Sequence, residues 1–189
     1  MPPKVKITKE EIIRTAVDLV RTSGAQAMNA RAVAAALNCS TQPIFSNFAT
    51  MEELQRAVID HAYTYYLGYL QEAASKGEYP RYKAAGMAYI RFAKEEKELF
   101  RLLFMRDRTA EETADPDDFK EWVRTQMESN GVTREVAAIM HLEMWAFVHG
   151  IATMLVTSFL PLEWDLISNM LTDVYRGIQA RYVTEEKTI

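Results

Sequence analysis

The stretch NCSTQPIFSNFATMEEL, residues 38 to 54, gathers small polar side chains, a proline and two phenylalanines three residues apart. These residue types do not break bonds. They suit a surface that meets another molecule through short donors and acceptors held at a fixed helix start. Ser40 is positioned to cap a helix whose first turn holds Thr41, Gln42 and Pro43, and a proline there forfeits no hydrogen bond because the first backbone N–H groups lack an intrahelical acceptor. Proline disfavours the α region for the residue before it, so this helix is expected to open as a tight or 3₁₀ turn. Ile44 and Phe48, four apart, can pack inward, while Thr41, Gln42, Phe45 and Ser46 project to the other side.

The flanking elements must hold that short helix in place. Thr8 and Glu11 form a capping box for a first helix carrying Ile12, Ile13, Ala16, Val17, Leu19 and Val20, which ends at Ser23-Gly24. Asn29 can cap a second helix over ARAVAAALN, and Asn38-Cys39 make the turn that follows. Thr50 and Glu53 make a second capping box and open a long helix to about Lys76. Two short helices joined by a tight turn and braced by a longer one fit a helix-turn-helix, in which the second helix enters the DNA major groove. An ordinary helical hairpin fits the same spacing.

The rest of the chain is helical in period throughout, with no strand alternation, so the expected class is all-α. Further helices are expected over about 79–95, 97–106, 116–129, 133–156 and 162–182, punctuated by Gly77, Asp115-Pro116, Asn130-Gly131 and Pro161. Residues 144 to 162 carry no Asp, Glu, Lys or Arg over nineteen positions. A membrane span is near that length, but His149, Gly150, Pro161 and the acidic flanks Glu143 and Glu163 favour a buried core helix or a subunit interface.

Charge divides the chain. The first fifty residues hold six Lys or Arg against three acids, a formal +3, so the remaining 139 carry −7 to reach the total of −4. A polyanion is expected to meet the basic head. The opening MPPKVKITKEE has no apolar core for a secretory signal, and one cysteine, Cys39, forms no internal disulfide; a cytoplasmic protein is expected, with Cys39 a small buried hydrophobe or a redox-sensing thiol. His61, His141 and His149 lack metal-pair spacing and a cysteine cluster, so no metal or cofactor is expected. With no nucleophile and base in pattern either, an enzyme is not expected.

From Thr8 to about Ala57 the chain resembles the N-terminal domain of TetR-type transcriptional regulators, through Ser23-Gly24, Asn29 to Ser40, the aromatic-x-x-Phe of Phe45-Ser46-Asn47-Phe48, and Thr50 to Leu54. Many family members have glycine where Asn38 stands, tyrosine where Phe45 stands and lysine where Met51 stands. The resemblance implies a helix-turn-helix DNA-binding domain over residues 1–50 and a helical effector-binding and dimerisation domain over 51–189. It implies DNA contacts at Asn29, Arg31, Ser40, Thr41, Gln42, Pro43, Phe45, Ser46, Asn47 and Thr50. Gln42 is the expected base reader, since its amide can pair bidentately with adenine; phosphate contacts fall to Arg31, to Lys4, Lys6 and Lys9, and to backbone amides.

The same resemblance implies a homodimer through the last two helices and a repressor released from a pseudo-palindromic operator by a small-molecule effector. The effector would lie among Tyr66, Phe92, Phe104, Trp122, Trp145 and His149, residues that at helical spacing equally suit plain core. A helical interaction or ligand-binding module without DNA affinity is the alternative.

Overall fold

The computed structural model of the protein describes residues 7–107 and 132–185. The expected helix over 116–129 and the candidate ligand residue Trp122 lie outside the described residues, as do Lys4 and Lys6. Every regular element among the described residues is helical, so the class is all-α. The helices form two compact units, one running to Gly68 and taking in Glu96–Arg106, the other comprising Tyr69–Glu95 and the residues from Asp107 onward.

The first unit is built on α1 (Lys9–Ser23), a short 3₁₀ turn (Ala25–Ala27), α2 (Ala30–Ala36), α3 (Gln42–Asn47), the first part of α4 (Met51–Lys76) and α6 (Lys97–Phe104), the helix that follows α5 (Arg81–Glu95). Its start is fixed by the Thr8 capping box: the Glu11 backbone N–H donates to Thr8 Oγ1 at 3.2 Å, and the Thr8 N–H donates to Glu11 Oε2 at 2.8 Å. Ile12, Ala16 and Val20 of α1 are fully buried, as are Val33 of α2, Ile44 of α3, and Leu54 and Val58 of α4. Burying side chains of this size contributes roughly 1.5–3 kcal/mol each, which is what holds helices as short as α2 and α3 that would not persist alone. At Gly24 the backbone turns at φ +81°, and an added Cβ would lie 2.9 Å from Gln26 Nε2, so the close of α1 requires glycine.

The second unit contains α5, α7 (Arg134–Val156) and α8 (Trp164–Glu185). Thr133 caps α7 by accepting the Val136 N–H at 3.4 Å. Helix α7 packs along α5, and Gly86 lets α5 approach closely: a Cβ there would lie 3.1 Å from Leu171 Cδ2 of α8 and 3.5 Å from Val148 Cγ2 of α7. Polar bonds run beside the apolar contacts. Tyr82 Oη lies 3.0 Å from His141 Nδ1, Tyr89 Oη lies 2.9 Å from His149 Nδ1, Lys83 donates to Thr172 Oγ1 at 2.8 Å, and Tyr182 donates to Glu143 Oε1 at 2.9 Å.

Only one face of α7 is covered. Ala137, Met140, Met144, Val148, Ile151, Ala152 and Leu155 are buried, whereas Ile139, Leu142, Trp145 and Met154 are exposed. This is the helix whose uncharged run is near the length of a membrane span, and by length and mean hydropathy it passes that test, with 33% of the apolar window buried. Seven of the ten large exposed hydrophobic residues among those described lie on α7, on α8 or between them, with Phe159 at 79% exposure. Exposed apolar side chains gathered on these two helices are a candidate interaction surface.

Candidate nucleic-acid interface

Asn29 is the cap of α2: its Oδ1 accepts the N–H groups of Arg31 at 3.1 Å and Ala32 at 3.0 Å, and its Nδ2 donates to Ala27 O at 3.3 Å. The cap fixes where α2 begins, and Arg31 leaves the first turn exposed. At the other end Asn38 N–H donates to Ala35 O at 3.0 Å and Cys39 N–H to Ala34 O at 2.9 Å, the paired bonds of a Schellman motif. That motif needs a left-handed residue at its corner, and Asn38 supplies it at φ 51°. The corner explains how asparagine can stand where relatives carry glycine, since asparagine is the side chain that best tolerates this conformation after glycine.

Ser40 does not cap α3. The capping position falls to Thr41, in αR geometry and with no side-chain capping bond, and Pro43 sits within the first turn. The Thr41 carbonyl accepts both Ile44 N–H at 3.1 Å and Phe45 N–H at 3.3 Å, a tight opening of mixed 3₁₀ and α character. The helical geometry of Thr41 leaves its side chain without the extended backbone that a capping oxygen requires. Ile44 and Phe48 are 0% and 1% exposed and anchor the helix to the core, as their spacing predicts.

The outward face follows from that anchoring. Gln42 and Ser46 are exposed, Phe45 is 51% exposed, and Thr41, Pro43 and Asn47 are half-buried. Two polar side chains turn back on their own helix: Ser46 Oγ donates to Gln42 O at 2.9 Å and Asn47 Nδ2 to Pro43 O at 2.7 Å. Such back-bonding to the carbonyl four residues earlier is common for these residue types inside helices. The Gln42 amide makes no such bond.

Beside this face, Thr50 Oγ1 accepts the Glu53 N–H at 3.2 Å, while the Glu53 carboxylate accepts the Ala49 N–H at 2.7 Å, one residue earlier than in a strict capping box. That backbone bond, more than the nearby Lys9, holds the Glu53 carboxyl below its ordinary range. Lys9 lies 3.3 Å from Glu53 and 4.7 Å from the Phe48 ring centroid, so this expected phosphate contact has an intramolecular partner as well.

Residues 82–174 match the family described as "Tetracyclin repressor-like, C-terminal domain". The fold matches "a TetR-like transcriptional regulator from Rhodococcus sp. RHA1" with a TM-score of 0.68 and 17% sequence identity, over 94% of this chain and 98% of that one. Residues 82–174 are thus similar to the C-terminal domain of tetracyclin-repressor-like proteins, and the fold is that of a TetR-like regulator. No curated protein matches the sequence closely.

The five candidate effector residues among those described fall at separate places. Tyr66 and Phe104 meet edge-on at 5.2 Å in the first unit. In the second, Phe92 meets Tyr69 edge-on at 5.2 Å, and Trp145 stacks on His149 with centroids 5.0 Å apart and planes 11° from parallel. Burial lowers the His149 pKa from its ordinary value. Trp145 is 44% exposed and belongs to the uncovered face of α7. Among the described residues no group of three His, Cys, Asp or Glu could hold a metal ion.

One constellation has no local signature in the sequence. Arg21 of α1 donates through Nε to Glu96 Oε2 at 2.6 Å and through Nη2 to Glu96 Oε1, while its Nη2 also donates to Tyr65 Oη at 2.9 Å. Glu96 is the buried charged residue of the described core, 75 residues from its partner, and stands at the start of α6. The bidentate contact raises the Arg21 pKa and fastens the start of α6 to α1.

Proposed function

We propose that the chain is a homodimeric repressor that binds a pseudo-palindromic operator and is released by a small-molecule effector. The observation that carries this reading is α3: a helix pinned from beneath by Ile44 and Phe48, with Gln42, Phe45 and Ser46 turned outward and no charged side chain to repel bases. A rigid, polar, narrow helix suits the major groove, and the +3 balance of the first fifty residues suits phosphate. Asn29 and the backbone amides of α2 and α3 position the helices, Arg31 meets phosphate, and Thr41, Gln42, Pro43, Phe45, Ser46, Asn47 and Thr50 line the contact, with Ser40 at its edge.

The uncovered face of α7 supports the dimer. Ile139, Leu142 and Trp145 follow three-residue steps along one helix, as a helix packing against its own copy requires. Two copies place two α3 helices on successive grooves, roughly 34–36 Å apart. An effector held by the second unit releases DNA by binding the mismatched spacing more tightly, by about 3 kcal/mol for a hundredfold loss of operator affinity. The protein acts in the cytoplasm, with α7 covered by its twin rather than by lipid.

Titration of a random-sequence duplex pool with the purified protein at several salt concentrations tests the reading. A steep fall of affinity with salt and enrichment of inverted repeats are expected. Salt-independent binding, or none at low ionic strength, refutes it.

A further inference from the structure

Resting on the DNA-binding reading above, we propose that the base pairs lying beneath α3 are A·T pairs, two or three in succession in each half-site. From Ala32 through Met51 the chain carries no Asp, Glu, Lys, Arg or His, so the turn and the whole of α3 offer no charged side chain. The strongest direct contacts to a G·C pair need charge: a guanidinium or ammonium on guanine O6 and N7, or a carboxylate accepting from cytosine N4. Neither is present on this helix.

What α3 does present matches the other pair. Gln42 is exposed in the first turn and its amide makes no intramolecular hydrogen bond among the described residues, which leaves both its donor and its acceptor for adenine N6 and N7. Phe45, one turn on and 51% exposed, provides an apolar edge for a thymine C5-methyl. Asn47, the other amide, is half-buried and donates to Pro43 O, so it is withdrawn from readout. Ser46 has committed its proton to Gln42 O and retains only acceptor capacity. Six residues at about 1.5 Å each make a helix roughly 9 Å long, which spans about three base pairs at 3.4 Å.

The test uses the full-length protein. Sites are selected from a random duplex pool, and the selection is repeated with Gln42→Ala and Phe45→Ala to locate the positions each residue reads. Those positions are expected to be A·T in the wild-type selection. In the selected duplex, 7-deazaadenine in place of adenine removes N7 and deoxyuridine in place of thymidine removes the methyl, leaving the protein unaltered. 7-Deazaadenine is expected to weaken wild-type binding within a range of about five- to 150-fold and deoxyuridine about fivefold, with 7-deazaadenine having little effect on Gln42→Ala and deoxyuridine little on Phe45→Ala. G·C pairs at the positions that the variants relax, or indifference of the wild type to both analogues, overturns the inference while leaving DNA binding intact. Salt-sensitive binding with no enriched sequence overturns it equally. Absence of salt-sensitive binding overturns the DNA-binding reading itself.

Discussion

Removing Arg21 should destabilise the protein more than removing Glu96, although the two side chains share one ion pair. Arg21→Ala leaves a carboxylate that is 6% exposed without its bidentate partner, and truncating one side of a fully buried pair costs about 3–5 kcal/mol. Here the Arg21 side chain is 41% exposed and Tyr65 Oη stands 3.3 Å from Glu96 Oε1 as a remaining donor, so the expected loss is about 2–4 kcal/mol. Arg21→Ala also removes the guanidinium from above the Tyr65 ring, 5.2 Å from its centroid. Glu96→Ala leaves a guanidinium that water already reaches, and α6 loses no capping bond because Glu96 makes none, so about 1–2 kcal/mol is expected. The double variant should recover part of the Arg21→Ala loss by deleting the stranded charge. Urea unfolding followed by helical circular dichroism at one fixed protein concentration reads all four proteins, with the coupling taken from the double-mutant cycle. A Glu96→Ala loss equal to or larger than that of Arg21→Ala, or strict additivity in the double variant, would refute the argument from stranded charge.

Asn38→Gly should leave stability within a few tenths of a kcal/mol, whereas Asn38→Ala should cost about 1 kcal/mol, because alanine resists the left-handed corner at φ 51°; thermal melts of the two variants check the ordering. Leu142→Glu places a charge in the middle of the uncovered α7 face, where Leu142 is 62% exposed, and should yield a folded monomer with weakened operator binding; sedimentation equilibrium that still reports a dimer would exclude this face as the interface. His149 titrates below its ordinary value of 6.5 because burial disfavours the imidazolium. The unfolded chain therefore takes up the proton first, and the His149 contribution to stability is fully present above pH 6.5 and declines as pH falls through the lowered value. Melting wild type and His149→Gln between pH 7.5 and 5.5 should show a smaller decline in the variant, and identical slopes would contradict it.

Local signals carried the first unit a long way because its determinants are local. The Thr8-Glu11 box, the Asn29 cap, the Gly24 turn and the inward pair Ile44 and Phe48 each depend on residues within four positions of one another, and all appear where the spacing puts them. Ser40 does not serve as the cap: the capping position falls on Thr41, and no side-chain bond closes the start of α3. The Arg21–Glu96 clasp was illegible because it joins residues 75 apart, and no periodicity marks a charge that is buried only once α6 folds back on α1. The aromatic residues assigned to an effector site illustrate the same boundary. Helical spacing identifies which face of a helix they share, but not which neighbouring helix that face meets.

Helix α7 shows where a sequence signal is strong and its meaning still open. A run without charge excludes a fully solvated surface; its length allows a lipid span, while His149, Gly150, Pro161 and the acidic flanks favour core or subunit contact without choosing between them. One-sided burial is the distinguishing fact. The inward face meets α5 through Val148 and through the Tyr89–His149 contact, so the helix is committed to its own unit along that side. Its other face bears Trp145 stacked on His149, an aromatic whose polar tip and large apolar area suit a protein interface. A span in lipid would instead have to shelter the hydrogen-bonding edges of His141, Glu143 and His149 within the hydrocarbon, a substantial cost for groups that here lie on or beside the covered face. The same polar groups that disfavour a bilayer are supplied with partners by α5 and α8, and the outward stripe of Ile139, Leu142 and Trp145 is the face that the proposed dimer would cover.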